Sequence, residues 1–374
     1  MSVLLTGATG FLGRHVLWDL LRRDLDIEVQ CLLRPSKRAS PERRLVQLLG
    51  PVGGNLTPEE RARAHVVVGD VTNETLFADA EVGARLVDEV DRVIHCAATV
   101  LFDTPLDEAR AINVAGTRNV LRFAEALHAK GHLRRLDHFS TAYVAGRFEG
   151  VVREDALVST TFNNTYEQTK WESEELVRGF QGDLPISIFR PSIIVGDSRT
   201  GATSNFRVLY WPLKVLSTGL AWVVPLDANG NVDLVPIDYV VDAFGRLAAD
   251  DASLGQCFHI AAGPNGQSTC GELLDAATKV FGVRRPWLIS PSISYRVVRP
   301  FLYAVMWGRR RQLLRTAEQF FPYFAYRASF DTSAADAMPA GSNVEQPKVG
   351  DYFDTILQYC VDTNWGTKRI AAEE

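Results

Sequence analysis

The sequence predicts an α/β fold class: a doubly wound parallel sheet with a smaller, mostly helical, discontinuous cap. Three observations support this prediction. Strand-like and helix-like segments alternate over the first half of the chain, a glycine-rich turn follows the first strand, and the last third is richer in aromatic residues. Alternating β and α segments are typical of a parallel sheet that helices cover on both faces.

Apolar spacing divides the first half of the chain into elements. We predict strands over Ser2–Thr6, Glu28–Leu33, His65–Val68, Arg92–Ala97, Leu136–Ser140 and Ile186–Phe189. We predict helices over Gly10–Arg23, Asn113–Leu127 and Tyr166–Phe180. The last strand should end at Arg190-Pro191, and the basic stretch Arg34–Arg63 should be a long crossover with a helix around Glu42–Leu49.

The cap is predicted to come from two separate stretches in which strand-like and helix-like segments do not alternate. We assign residues 196–232 and 263–374 to a substrate-binding cap, and residues 1–195 and 233–262 to the sheet domain. Within the second part of the sheet domain, Val235–Ala249 and Cys257–Ala262 should return to the core.

Composition excludes several function classes. The chain has 374 residues and a formal net charge of -5, so it lacks the basic excess of a nucleic-acid-binding protein. No window has the roughly 18 apolar residues of a membrane span, and the N-terminus has no signal-peptide pattern. The five cysteines are scattered without a CxxC pair, which favours a cytoplasmic protein. The histidines show no ligand spacing, so we predict no metal site.

A glycine-rich turn predicts a dinucleotide-binding site. Residues 6–13 read TGATGFLG and lie between the first strand and the first helix. Glycines let the backbone bend tightly and approach a pyrophosphate, which then faces the N–H groups of the helix N-terminus. A purely structural turn is the alternative, but the position between strand and helix favours binding. The predicted contacts are Thr6, Gly7, Thr9, Gly10, Phe11, Leu12 and Gly13.

The end of the second strand favours NADPH over NADH. NAD-binding folds often carry Asp or Glu about 20 residues after the glycine turn, on the ribose 2′-hydroxyl. Here Arg34 takes that place, followed by Lys37 and Arg38. A guanidinium can bind a 2′-phosphate in bidentate fashion, whereas a solvated basic loop is the alternative. Asp70, which precedes Val71, is either an adenine-side contact or an exposed residue at a strand end.

Tyr166 and Lys170 predict a proton-transfer site. Their i, i+4 spacing places them on one helix face, where the ammonium should lower the pKa of the tyrosine. Tyr166 could then exchange a proton with a substrate oxygen, and Lys170 could also hold the nicotinamide ribose. Thr141, after the fifth strand, could polarise the same oxygen. The spacing alone is common in helices, so the order of motifs is what favours catalysis.

These motifs resemble, in order, the extended short-chain dehydrogenase/reductase superfamily, which has a Rossmann fold. They are the glycine turn, Gly69-Asp70, His95–Ala98, Asn113–Thr117, Ser140–Ala142, Tyr166 with Lys170, and Arg190–Ser192, and they cover about two thirds of the chain. The resemblance implies that Asn113 is a structural or proton-relay residue and that the segment after Arg190 lies beside the nicotinamide. The cofactor contacts implied are Asp70, Val71, Ala97, Ala98, Asn113, Lys170, Arg190, Pro191, Ser192 and Ile193.

A narrower resemblance is to fatty acyl-CoA reductases and to the thioester-reductase domains of carboxylic acid reductases. The residues that carry it include Cys31–Pro35, Ser140–Val144, Asn164–Tyr166, Arg190–Ile193, Val235–Val240 and Phe321–Phe324. Those families reduce an acyl thioester with NADPH, so the resemblance implies an aldehyde product, with further reduction to the alcohol left open. The C-terminal segment departs from both families, and the thiol carrier therefore stays open between CoA and a carrier protein.

Three other functions remain as alternatives. One is reduction of a ketone or ring carbonyl on a secondary-metabolite scaffold. Another is a sugar-nucleotide epimerase or dehydratase, which would keep an acidic residue where Arg34 stands. The third is a non-catalytic dinucleotide sensor, a class that often loses the Tyr and Lys pair.

Two interaction surfaces are also expected. The aromatic and basic segment Tyr295–Tyr326 is a lid helix, a contact for CoA or a carrier protein, or a peripheral membrane contact. By analogy with such folds, the faces of Asn113–Leu127 and Tyr166–Phe180 could pair two copies into a homodimer.

Overall fold

A parallel sheet forms the centre of the fold. The computed structural model describes residues 1–50, 56–155, 157–207, 209–291, 319–338 and 348–368, together with Ser294, Arg296, Pro300 and Gln346. The strands are β1 (Ser2–Thr6), β2 (Glu28–Leu33), β3 (Ala64–Val68), β4 (Arg92–His95), β5 (Arg135–Phe139), β6 (Gly150–Val152), β7 (Ile186–Pro191), β8 (Ile193–Val195), β9 (Val223–Pro225), β10 (Asn231–Val232), β11 (Leu234–Pro236), β12 (Cys257–Ile260), β13 (Ser268–Thr269), β14 (Trp287–Ile289) and β15 (Ala328–Phe330). Seven of them form one parallel sheet in the order β12-β7-β5-β4-β1-β2-β3.

Helices cover both faces of this sheet. They are α1 (Phe11–Arg23), α2 (Pro41–Leu49), α3 (Pro58–Ala62), α4 (Ala80–Glu89), α5 (Leu106–Arg110), α6 (Gly116–Ala129), α7 (Thr165–Arg178), α8 (Tyr210–Ser217), α9 (Ile237–Leu247), α10 (Gly263–Gly266), α11 (Cys270–Phe281), α12 (Ser333–Ala337) and α13 (Val349–Asp362). On one face, α1 and α9 contribute Leu17 and Phe244 to an apolar cluster. On the other face, α6 and α7 contribute Leu121 and Val177 to a second cluster. Burial on two faces explains why β1 contains the continuous apolar run Val3–Leu5.

The predicted fold class is confirmed. The six predicted strands are all present, and their ends differ from the prediction by two residues at most. The strand order reverses between β1 and β4, and open α/β sheets bind their ligands at the carboxyl ends of the strands beside such a point. The fold therefore places a binding site beside the glycine-rich turn that follows β1.

The predicted end of the sixth strand was wrong. β7 continues through Arg190 and Pro191, where the chain pairs with His259 and Ile260 of β12. Its pairing with β5 has already stopped at Phe189. The missing N–H of the proline therefore breaks no ladder on the β5 side, as is usual for proline near a strand end.

Two helical regions also differ in detail from the prediction. The segment predicted to be a helix from Asn113 begins as a π-helical turn, Ala111–Ala115, and continues as α6. The basic crossover contains α2, in which the Ser40 hydroxyl accepts a hydrogen bond from the Arg43 N–H at 3.3 Å. It also contains the short helix α3, which the sequence did not predict.

A third apolar cluster joins both of the segments assigned to the cap. Leu213 of α8, Leu273 of α11 and Phe353 of α13 are buried together in it. The cluster also includes Leu234 of β11, whose carbonyl accepts a hydrogen bond from the Tyr352 hydroxyl at 2.9 Å. The cap therefore packs directly on the sheet domain, and the exact division of the chain into two domains remains a proposal.

Three further expectations concern the basic C-terminal segment, membrane-spanning helices and metal sites. Most of the basic segment Tyr295–Tyr326, including Arg309–Arg311, lies outside the residues that the structure describes. Among the helices that it does describe, none is long and apolar enough to cross a membrane. Within the same residues, no group of three or more His, Cys, Asp or Glu side chains is arranged to hold a metal ion.

Candidate active site

Two glycines of the glycine-rich turn, Gly7 and Gly13, lie where no side chain would fit. Gly7 has a positive φ of 77°, and a Cβ there would lie 2.6 Å from the Ala97 nitrogen at the end of β4. A Cβ on Gly13 would overlap the Gly7 carbonyl. Gly10, which precedes α1, has no side chain to cap the free N–H groups of the helix. The turn thus exposes backbone donors at a helix N-terminus, an arrangement that binds phosphate.

A cavity of about 460 Å³ lies between this turn and the ends of β2, β3 and β4. Residues predicted as cofactor contacts that line it are Gly7, Thr9, Gly10, Arg34, Asp70, Val71, Ala97 and Ala98. The Asp70 carboxylate is held by the Thr72 N–H and hydroxyl, each at 3.0 Å. A cavity of this size beside an uncapped helix N-terminus fits a dinucleotide.

A second arginine joins Arg34 at the edge of the cavity. Arg44, on α2, donates to the Arg34 carbonyl at 2.7 Å and to the Thr9 hydroxyl at 2.9 Å. Partial burial and the charge of Arg34 both lower the pKa of Arg44. Among the described residues, neither arginine forms an ion pair with a carboxylate. The two guanidinium groups at this edge are therefore not paired with a carboxylate within the described part of the chain.

Two other basic residues of the sequence prediction lie outside this edge. Lys37 and Arg38 are exposed on the loop after β2 and do not line the cavity. Ser36 fixes that loop, because its hydroxyl accepts hydrogen bonds from the N–H groups of Arg38 and Ala39, each at 3.2 Å. Sequence reasoning missed Arg44, although a helix was predicted around it, because contact with Arg34 depends on how α2 packs.

The three predicted catalytic residues line a second cavity, of about 260 Å³, beside the first. Thr141 follows β5, whereas Tyr166 and Lys170 lie on the first two turns of α7. The helix starts here because the Asn164 side chain accepts a hydrogen bond from the Glu167 N–H at 2.9 Å. The same cavity is lined by Phe11, Leu12, Gly13, Pro191, Ser192 and Ile193.

The acidity of Tyr166 differs from the expectation. Burial raises the pKa of Tyr166 to about 12, although a hydrogen bond with Thr141 acts in the opposite direction. Lys170 instead donates from Nζ to the Phe139 carbonyl at 2.7 Å, and burial lowers the pKa of its ammonium to about 8. The predicted lowering of the tyrosine pKa by Lys170 was therefore wrong. The phenol keeps its proton at neutral pH.

Two predicted cofactor contacts, Thr6 and Asn113, form hydrogen bonds behind the cavity walls. The Thr6 hydroxyl is bonded to His95 Nδ1 at 2.7 Å and is fully buried. Asn113 binds the Thr99 N–H through its side-chain oxygen at 2.8 Å, and its Nδ2 donates to the Thr169 hydroxyl at 2.9 Å. Neither Thr6 nor Asn113 lines a cavity that holds the predicted site.

Arg190 was wrongly predicted to contact the cofactor. Its side chain is fully buried and forms an ion pair with Glu174 at 2.6 Å. Burial alone would raise the pKa of Glu174, but the charge and hydrogen bonds of Arg190, the charge of Arg178 and the Ser140 hydrogen bond together lower it to about 2. The Ser140 hydroxyl donates to the same carboxylate at 2.6 Å. Arg190 therefore ties β7 to α7 beneath the site and does not reach the cavity.

Two residues that the sequence did not suggest as site residues also contribute. Tyr323, which lies after the undescribed segment, lines the catalytic cavity and donates from its hydroxyl to the Glu167 carboxylate at 2.5 Å. Its ring lies 5.5 Å from that of Phe102, which in turn stacks on Tyr166. Arg207 lines both cavities. Only the faint resemblance at Phe321–Phe324 pointed towards the first, and no pattern pointed to the second.

Comparisons with known proteins agree with this geometry. The NAD-binding family model described as "Male sterility protein" matches residues 5–244. The chain is 29% identical over 284 residues to the fatty acyl-CoA reductase wat of Drosophila melanogaster, covering 67% of this chain and 54% of that protein. It is 32% identical over 275 residues to the isonitrile lipopeptide synthase of Mycobacterium tuberculosis, covering 66% of this chain and 11% of that protein.

A solved structure is similar along the whole chain. The terminal R domain from the myxalamid PKS-NRPS biosynthetic pathway superposes with a TM-score of 0.81 at 25% identity, covering 100% of this chain and 92% of that domain. By contrast, this chain spans only about half the length of the Drosophila relative and about a ninth of the mycobacterial one.

Proposed function

Because the chain belongs to the Male sterility protein family, we propose that it reduces an acyl thioester to an aldehyde with NADPH. The observation that carries the proposal is the Thr141 and Tyr166 hydroxyl pair in a cavity beside the glycine-rich turn. The name of one relative, a fatty acyl-CoA reductase, supports the same chemistry.

The residues of the first cavity fit NADPH. The turn at Gly7 and the free N-terminus of α1 would hold the pyrophosphate, and Asp70 would face the adenine side. Arg34 and Arg44 would bind the 2′-phosphate, since neither is paired with a carboxylate within the described part of the chain. When bound there, NADPH supplies the hydride that reduces the carbonyl carbon.

The side chains of this protein would stabilise and protonate the substrate oxygen. The hydroxyls of Thr141 and Tyr166 would donate to the thioester oxygen, where negative charge develops as its carbon is reduced. Tyr166 would then release its proton to that oxygen, which suits a phenol that is still protonated at neutral pH. The resulting hemithioacetal loses the thiol and leaves the aldehyde. Lys170 would hold the ribose beside Tyr166.

The test is NADPH oxidation by the purified protein with acyl-CoAs, acyl-pantetheines and cyclic ketones, while free thiol is measured in parallel. Thioester reduction requires one equivalent of thiol for each aldehyde formed. Oxidation with ketones alone would overturn the substrate class and support a ketone reductase. The ratio of NADPH consumed to thiol released would also decide between aldehyde and alcohol as the final product, since the alcohol needs two equivalents of NADPH. Cytoplasmic location and a homodimer remain predictions.

A further inference from the structure

One charged residue of the cap borders both the first cavity, beside the glycine-rich turn, and the catalytic cavity. The described residues that line both cavities are Gly10, Cys96, Ala98, Val100 and Arg207. Only Arg207 among them carries a charge. A residue that lines two cavities lies at the boundary between them. Arg207 and the N-terminus of α1, which follows Gly10, therefore belong to the same boundary.

The backbone of Arg207 is held in place by the cap. Its carbonyl accepts a hydrogen bond from the Tyr210 N–H at 3.0 Å, where α8 begins. The ring of the preceding residue, Phe206, packs edge-on against the Tyr210 ring, with 5.6 Å between the ring centroids. It also stacks on the ring of Tyr359 in α13, at a centroid distance of 6.4 Å. The cap therefore presents Arg207 from an anchored segment.

The side chain of Arg207 is available to a ligand. It is exposed, and within the described part of the chain its guanidinium forms no hydrogen bond and no ion pair. Arginine offers N–H donors in a planar fork that matches the oxygens of a phosphate. The N-terminus of α1 also favours phosphate, because no side chain caps its backbone N–H groups. The boundary thus combines a phosphate-binding group of the cap with one of the sheet domain.

We propose that Arg207 binds the pyrophosphate of the nicotinamide dinucleotide, so that the cap adds a phosphate contact to those of the glycine-rich turn. This contact rests on the proposed function only in that a dinucleotide is bound, and not on the substrate. Asp70, on the adenine side, lines the first cavity alone, and Lys170, at the nicotinamide ribose, lines the catalytic cavity alone. The pyrophosphate joins these two halves of the dinucleotide, so it belongs at the boundary that Gly10 and Arg207 share.

The substrate is a second source of phosphate, since CoA and a phosphopantetheine arm both carry phosphate groups. A substrate bound at Thr141 and Tyr166 needs no contact with the first cavity. Arg207, however, lines the first cavity together with Gly7 and Gly10 of the turn. The position of Arg207 therefore favours the phosphates of the cofactor over those of the thiol carrier.

The experiment measures the dissociation constants of NADPH, NADH and adenosine 2′-monophosphate for the wild type, Arg207→Met and Arg207→Lys. Arg207→Met keeps a long side chain but removes the charge. It should bind both dinucleotides about tenfold or more weakly and by the same factor, because both carry the pyrophosphate. Adenosine 2′-monophosphate lacks the pyrophosphate, so its affinity should not change. Arg207→Lys should recover part of the loss, since it keeps the charge without the planar fork.

The matched control is Arg199→Met. Arg199 lies in the same segment of the cap and is also exposed, but it lines neither the first cavity nor the catalytic one. This variant should bind all three ligands as the wild type does. Unchanged affinity of Arg207→Met for both dinucleotides would overturn the pyrophosphate contact. A loss for NADPH alone would also overturn it, because it would place Arg207 at the 2′-phosphate.

Kinetics with two thioesters separate the cofactor from the thiol carrier. An acyl-CoA carries phosphate groups, whereas the same acyl group on N-acetylcysteamine carries none. In Arg207→Met, KM for NADPH should rise with both thioesters, and KM for the acyl-CoA should stay unchanged. A rise in KM for the acyl-CoA alone, with wild-type affinity for the dinucleotides, would assign Arg207 to the thiol carrier instead. If no thioester is reduced but Arg207→Met still binds both dinucleotides weakly, the proposed function fails and the pyrophosphate contact stands.

Discussion

The sheet side and the cap side of the molecule are built in different ways. On the sheet side, the candidate site consists of backbone N–H groups and fixed polar side chains, which hydrogen bonds hold at the ends of β1 to β4. On the cap side, a separate cavity is lined by apolar side chains from α8, β9 and α11 and offers few polar groups. The affinity of a polar ligand on the sheet side should therefore depend on single hydrogen-bonding atoms. The affinity of an apolar ligand on the cap side should depend on the volume of the cavity.

The largest expected effect tests the chemistry at the junction of the two sides. Tyr166→Phe removes the proposed proton donor while leaving the ring that stacks on Phe102. Turnover should fall by about 10²–10⁴-fold, the range typical of losing a general acid. NADPH affinity, measured by fluorescence titration, should change less than twofold. Unchanged turnover would show that another group protonates the substrate oxygen.

The next effect concerns stability on the sheet side. Arg190→Met leaves the Glu174 carboxylate buried beside Ser140 without its main partner. The free energy of unfolding, from urea titration, should fall by about 3–5 kcal/mol. Where the variant is still folded, NADPH affinity should be close to that of the wild type, because Arg190 lies outside the cavity. A large loss of NADPH affinity with little loss of stability would restore Arg190 as a cofactor contact.

A smaller effect tests the paired arginines. If Arg34 and Arg44 bind the 2′-phosphate as proposed, Arg34→Ala and Arg44→Ala each remove charge-assisted hydrogen bonds worth about 1.5–3 kcal/mol. Each variant should bind NADPH about 10–100-fold more weakly, while NADH binding changes little. Lys37→Ala is the matched control, since Lys37 is exposed and does not line the cavity. Equal losses of affinity for NADPH and NADH would show that these arginines do not select NADPH.

A pH dependence follows from Lys170. Burial lowers the pKa of its ammonium to about 8, so the charge is present below that pH and is lost above it. If the ammonium holds the ribose, NADPH affinity should weaken as pH rises through about 8. In Lys170→Met this part of the pH profile should disappear, and the affinity at pH 6.5 should already be low. A wild-type profile in that variant would show that Lys170 does not contact the cofactor.

The same contrast explains what the sequence could predict. Gly7 to Gly13 are contiguous in the sequence, and the hydrophobic periodicity of a strand or a helix is a local pattern. The sheet, the turn and the candidate residues Thr141, Tyr166 and Lys170 could therefore be predicted from short patterns. Membership of the extended short-chain dehydrogenase/reductase superfamily is confirmed on the same basis. The wrong assignment of Arg190 has a physical cause, because a motif does not reveal whether a side chain faces the cavity or the core.

What the sequence missed depends on contacts between distant segments. Arg44 meets Arg34 only because α2 packs back on the turn after β2. The apolar cavity combines α8 with α11 and with the turn at Phe321–Ala325, and each of these alone is an ordinary amphipathic or apolar segment. No local period distinguishes residues that line a cavity from residues that fill a core, since both are apolar.

The smallest expected effect is at the Tyr323 hydroxyl, which joins the cap to the start of the catalytic helix by donating to Glu167 and by accepting from the Asn164 side-chain amide at 2.7 Å. Among the residues that the structure describes, Tyr323→Phe leaves the buried Glu167 carboxylate with the Asn163 N–H and side-chain amide as its donors. The cost should be about 1–3 kcal/mol. Burial raises the pKa of Glu167, and the Tyr323 hydrogen bond opposes that rise.

The sign of the pH effect follows from this balance. Loss of the hydroxyl raises the folded-state pKa further, so the folded variant binds a proton that the unfolded chain has already released. The variant should therefore lose more stability as pH rises above the ordinary pKa of a glutamate, and be closer to the wild type at pH 5 than at pH 8. Urea unfolding at the two pH values measures this, with Tyr326→Phe as control, since its hydroxyl has no partner among the described residues. An equal loss at both pH values would mean that the Tyr323 hydroxyl does not influence the ionisation of Glu167, and that the cost comes from its lost hydrogen bond with the Asn164 amide.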